Sequence, residues 1–179
     1  MLKIVHLSCA LLASLCLVSC GFKLQGSNQP LPPQLQQVYV NSDAAPHSAI
    51  GPDLTVSLES EKVICVNDPN KALITLNILQ DKQTNHQVGT GASQETRKYE
   101  LSYAVVFTLS NQAGIVIYGP TTVVSTNIHY VYSGQVLGNN QEEATLYQSL
   151  RRNVIQKILF KLSSDDVKAA LIKKNEISA

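Results

Sequence analysis

Residues 99–109 read YELSYAVVFTL, and the fold is decided in that stretch. Tyr99, Leu101, Tyr103, Val105, Phe107 and Leu109 alternate with Glu100, Ser102, Ala104, Val106 and Thr108. A helix would scatter the six larger side chains around its circumference, whereas a strand sends all of them to one side. The stretch is therefore a strand with one buried face. Downstream, Asn111-Gln112-Ala113-Gly114 is a turn, and residues 115–132 form the next strand, with an irregularity expected at Gly119-Pro120 because proline cannot donate to a ladder. Upstream, Ala72, Ile74, Leu76 and Ile78 share a face against Thr75 and Asn77, giving a third strand of the same meander.

Such a face needs a cover. Tyr147, Leu150, Val154, Ile155, Ile158, Leu159 and Leu162 recur at helical spacing, with Gln148, Arg151, Arg152, Gln156, Lys157 and Lys161 on the other side. Asn139 and Asn140 are placed to cap this helix, with Glu142 and Glu143 in its first turn. A second helix is expected at 49–62, from Pro52 and Asp53 at its start and Ile50, Leu54 and Leu58 along it. Residues 35–41 make a first strand, and 63–66 a short extended piece. The expected fold is α+β: two helices packed on one face of a four-stranded, largely antiparallel sheet, in the order β-α-β-β-β-α. The domain spans 35–163, and 164–179 is a loosely docked tail or short helix.

The chain begins Met1-Leu2-Lys3 and continues with the almost wholly apolar residues 4–18, IVHLSCALLASLCLV. That run is short for a spanning helix and suits the core of a signal peptide. It ends in Leu17-Val18-Ser19-Cys20, which resembles the bacterial lipobox. A thiol is what a diacylglycerol thioether requires, so residues 1–19 are expected to be removed and Cys20 to carry the lipid. Gly21, where an Asp would favour inner-membrane retention, favours the outer membrane. Residues 20–34, with Gly26, Pro30, Pro32 and Pro33, form the lipidated terminus and tether. Cys9 and Cys16 leave with the signal segment, so Cys65 is the one free thiol of the expected mature chain and no internal disulfide forms.

Over its 179 residues the chain is 44% hydrophobic and 15% charged, a composition that excludes wholesale disorder. Loss of Lys3 leaves 13 Lys and Arg against 13 Asp and Glu. A neutral domain has no global field to attract nucleic acid, so nucleic-acid binding is not expected. Nor do the reactive side chains assemble a catalytic or metal pattern. His47, His86 and His129 are isolated from one another, His129 being expected at a surface or an interface rather than as a base, and Cys65 has no neighbour to activate it. Glu142-Glu143 and Asp165-Asp166 are adjacent and so do not face each other on a helix. Gly89-Thr90-Gly91 lacks the third glycine of a dinucleotide loop. No cofactor, metal or catalytic residue is assigned. One polar stretch remains, residues 84–98, TNHQVGTGASQETRK. It is expected as a long hairpin loop, with Arg97 and Lys98 at its return edge available to phosphate or carboxylate groups.

Cys20-Gly21-Phe22-Lys23-Leu24-Gln25-Gly26 resembles the mature opening of the LPS-assembly lipoprotein family LptE. The end of the domain is similar too: a Tyr-rich strand, Gln135-Val136-Leu137-Gly138, Glu142-Glu143, and a helix closing Ile158-Leu159-Phe160-Lys161-Leu162. The resemblance implies an outer-membrane lipoprotein, not an enzyme, that plugs and helps assemble the β-barrel LptD. It also implies contact with lipopolysaccharide during insertion into the outer leaflet. On that reading Arg97 and Lys98 are the lipopolysaccharide-binding candidates. Where some relatives carry a basic residue at the start of the last helix, this sequence has Gly138-Asn139-Asn140. Two other readings stay open at this point: an unrelated outer-membrane lipoprotein that binds a small ligand or cell-wall component, and a lipid-anchored hydrolase with scattered catalytic residues. Under the lipoprotein reading, Cys20→Ala leaves unprocessed precursor without lipid; a normal lipid-modified mass by mass spectrometry contradicts it.

Overall fold

The structure, a computed structural model, describes residues 30–45, 48–90, 96–132 and 136–175. The expected signal segment, Cys20, His47, Gly91 and Glu95 lie outside them.

The alternating stretch is the centre of the sheet. Strand β4, Thr96–Asn111, pairs antiparallel with β3, Ile74–Thr90, on one side and with β5, Val116–Tyr132, on the other. Leu101, Tyr103, Val105, Phe107 and Leu109 are completely buried on its inner face. β1, Gln37–Asn41, and β2, Ile64–Cys65, complete the sheet in the order β2-β1-β3-β4-β5. β1 runs parallel to both β2 and β3. The sheet is thus five-stranded and mixed, where four largely antiparallel strands were expected. Helix α1, Ile50–Ser60, returns the chain to the starting end of β1, and a strand entered after such a crossover is parallel to the first. β2 contributes two residues, too few to show any period.

The inner face is covered by α1 and by α2, Val136–Leu162. Ile50, Leu54 and Leu58 of α1 are buried, as are Leu150, Val154, Ile155, Ile158, Leu159 and Leu162 of α2, in one core with Ile74, Leu76, Ile78 and Val123. Both stripes are those expected from spacing, Tyr147 being half-buried at the edge. Arg151, placed by spacing on the outer side of α2, is partly covered and sets its Nε 2.8 Å from Asp53 Oδ2, tying the two helices together. The N–H itself is not aimed along that contact, so the pair is ionic rather than a directed hydrogen bond. α2 starts at Val136, so Asn139 and Asn140 lie inside the helix instead of capping it, and Glu142 and Glu143 fall in its second turn.

A single irregularity in β3 decides how α1 is held. The register shifts between Ile78 and Gln80. An extra residue in one strand inverts the facing of everything after it. Ile74, Leu76 and Ile78 face the helices before it; Asp81, opposite Val105, faces them after it. Ala49, at the N-cap of α1, has no side chain able to cap. Asp81 does so from the sheet: its Oδ2 accepts from Ser48 Oγ at 2.9 Å and from Ile50 N–H at 3.3 Å. Beneath lies the buried Tyr103 hydroxyl, which makes no strictly formed hydrogen bond. Burial, and then the Asp81 carboxylate, push it far above the ordinary tyrosine range.

The segment after residue 163, expected as a loosely docked tail or short helix, is a short helix, α3, Asp165–Asn175. Val167 and Leu171 are buried in the common core, so the segment is docked rather than loose. Its attachment is also polar. Asp166 Oδ2 accepts from Lys161 Nζ at 2.7 Å and from Tyr118 Oη at 3.1 Å, while Ser164 Oγ bonds Oδ1. Lys161 Nζ also stands 5.9 Å from the Tyr118 ring centroid. The Lys161 hydrogen bond first, and then that of Ser164, hold the Asp166 carboxyl well below the usual range.

A carboxyl lowered by folding contributes stability that is present above its unfolded value and lost as pH falls toward and through the folded one. The melting-temperature gap between the native chain and Asp166→Asn is therefore constant at neutral pH and narrows below about pH 4, near the unfolded carboxyl value. Thermal denaturation followed by circular dichroism checks this; a gap independent of pH contradicts the clasp.

Candidate functional site

The stretch expected as a loop, residues 84–98, is mostly sheet. β3 continues to Thr90 and β4 resumes at Thr96. Beyond Asp81 the side chains of β3 are exposed on both faces, so no alternation marks the strand in the sequence. Arg97 lies opposite Thr90 and Val131, and Lys98 opposite Gly89 and Tyr130.

Consecutive residues of a strand point to opposite faces. Arg97 is exposed on the side of the helices, and Lys98 is half-buried on the open side, where Gly89 leaves empty space beside it. The two side chains therefore point away from each other. Each offers a separate cation, and among the described residues neither is within ion-pair reach of an acid. The open face around Lys98 is partly apolar: Val124, Ile128, Tyr130 and Tyr132 are 38% to 54% exposed. Toward the other end of the sheet it becomes a polar row, in which Asn41 donates to Asn77 at 3.2 Å and Asn77 to Ser110 at 2.9 Å.

On the helix side the arm is held by the first turns of α2. Asn85 Nδ2 donates to Glu143 Oε1 at 2.9 Å, and Tyr147 Oη to the Thr84 carbonyl at 2.8 Å. Burial, then Glu143, raise the Tyr147 hydroxyl above its ordinary value. His129, expected at a surface or an interface, is only 1% exposed. It lies opposite Tyr99 on the covered face of β5, where an odd-numbered residue in register with the core stripe must point inward. Its Nδ1 is 3.7 Å from Glu142 Oε1, beyond hydrogen-bonding distance, and neither ring nitrogen has a hydrogen-bond partner. Nothing in the local sequence signalled this burial, since Ser125 and Asn127 on the same face are also polar.

The other reactive side chains are engaged structurally. Cys65 donates weakly to the Thr55 carbonyl at 3.7 Å, and burial, then Glu59, push its thiol up, away from the nucleophilic thiolate. Asp165 pairs with Lys168 at 3.2 Å. No group of three or more His, Cys, Asp or Glu able to hold a metal occurs among the described residues, and no helix among them is long and apolar enough to cross a membrane.

The fold is therefore an α+β domain with a mixed five-stranded sheet, helices on one face and, among the described residues, two cations without an ion-pair partner near the end of a long hairpin. It superimposes on lipoprotein B of Nitrosomonas europaea with a TM-score of 0.67 and 25% identity, covering 86% of this chain and 96% of that one. A minor lipoprotein of Acinetobacter baumannii gives 0.63 at 21% identity over 75% and 93%. Rare lipoprotein B of Shewanella oneidensis gives 0.62 at 17% over 74% and 98%. None of the curated proteins matches the sequence. The family model LptE, described as lipopolysaccharide-assembly, matches residues 35–162, and the chain belongs to that family.

Because His129 is buried without a hydrogen bond and its approach to Glu142 is long, removing its ring nitrogens relieves a desolvation cost without breaking a hydrogen bond. His129→Leu is expected to leave the melting temperature unchanged or higher; a loss of about 2 kcal/mol or more in denaturant unfolding contradicts this.

Proposed function

We propose that this protein is an outer-membrane lipoprotein, anchored by acyl chains on Cys20, that plugs and helps assemble the β-barrel LptD and contacts lipopolysaccharide during its insertion into the outer leaflet. The carrying observation is the family match over residues 35–162. The physical character of the domain supports it. A balanced charge and a largely polar surface suit the lumen of a large barrel, which is itself polar. The tether places the domain within reach of the membrane that such a barrel spans.

Arg97 and Lys98 meet the phosphates of lipopolysaccharide on this reading. Their placement on opposite faces divides the work: Lys98 and the tyrosines beside it face one way, Arg97 the other. A lipid with several phosphates can engage both where a single phosphate cannot.

Extraction in mild detergent and capture through a C-terminal tag is expected to recover a large β-barrel in stoichiometric amount; a protein that elutes alone contradicts the proposal. Charge reversal at both Arg97 and Lys98 to Glu is expected to weaken binding of lipopolysaccharide without unfolding the domain. Unaltered affinity in the folded variant removes these residues from the contact.

A further inference from the structure

β5 is the last strand of the sheet, and among the described residues no strand covers its outer edge. It spans 17 residues, Val116–Tyr132, without a single Lys, Arg, Asp or Glu. Val123, Val124, Ile128, Tyr130 and Tyr132 give it the β-branched and aromatic character that favours further pairing. Without residues 1–19 the chain carries equal numbers of both charges, so long-range repulsion does not keep two copies apart. Edge strands of this kind ordinarily carry their own charges or a bulge.

Here a charge comes from outside the strand, and a side chain and a break within it complete the guard. Alternate residues of an edge strand aim both backbone groups outward, and Val124, Thr126 and Ile128 form such a set. The Val124 carbonyl accepts a hydrogen bond from Lys157 Nζ at 2.7 Å, so α2 supplies the cation that the strand lacks. The Ile128 N–H donates to the Asn127 side chain at 2.8 Å. Toward the start of the strand, Gly119 and Pro120 break the register with β4, and proline offers no donor. Gly119 has φ +91°, and a Cβ there would meet the Phe107 carbonyl at 2.8 Å, so the break is built into the backbone.

We infer that Lys157 and Asn127 close the outer edge of β5 against strand addition by a second copy of this chain. Neither residue contributes to the core, and each occupies a backbone group that an antiparallel neighbour would need.

The test compares full-length lipidated protein with its Lys157→Met, Asn127→Ala variant in the same detergent micelles. Light scattering reads self-association, and disulfide cross-linking through Thr122→Cys, Thr126→Cys or Tyr130→Cys, introduced one at a time, reads its place. The double variant is expected to associate about tenfold more tightly and to cross-link at one or more of these edge positions above the Cys65 background. Lys157→Arg, which keeps a donor, stays monomeric. If the double variant loses its circular dichroism signal, Lys157→Gln alone, which keeps the aliphatic stem but not the cation, carries the same expectation. A folded variant with unchanged mass overturns the inference. So does association without cross-linking at any of the three positions, which would place the contact elsewhere.

Discussion

The contact between the apolar stripe of α2 and the inner face of β4 is the constraint on which the other elements depend. A sheet covered on one side must keep all its large side chains in one register, and β4 does so through five completely buried residues. Each buried side chain of this size contributes about 1.5–3 kcal/mol. α2 also fixes the remaining helices. Arg151 reaches Asp53 on α1, and Lys161 meets Asp166 at the start of α3. Both ties are side-chain contacts at the rim of a core that α2 has already closed.

What was legible before the structure is what depends on period. The β4 alternation, the α2 stripe and the spacing of Ile50, Leu54 and Leu58 each repeat often enough to declare their geometry, and all three are buried as expected. What was not legible depends on single events. The shift after Ile78 is one residue in a strand, yet it turns Asp81 inward and lets the sheet cap a helix whose own N-cap is Ala49. β2 is too short for any pattern. Among the described residues α3 carries Val167 and Leu171 into the core, a pair that a charged helical segment easily conceals.

The candidate site shows the same division. Arg97 and Lys98 were identifiable as the basic residues of a polar stretch, but adjacency in sequence became opposition in space once the stretch proved to be strand. His129 went the other way, from an expected surface or interface position to an enclosed one, because its exposure depends on α2 crossing that end of β5. Membership of the LptE family rests on residues 35–162 as a whole rather than on any one of these residues.

The outer half of the β3–β4 hairpin is joined to the body by its own ladder, by the ladder from β4 to β5 that runs to Tyr132, and by the two contacts from Asn85 and Thr84 to α2. Past those contacts the side chains of β3 are exposed on both faces. Inserting or deleting two residues at matched positions in each of β3, β4 and β5 preserves both facing and pairing. The reach of the tip can therefore be lengthened or shortened over evolutionary time while the body of the domain stays the same, much as a boom is changed without rebuilding the crane.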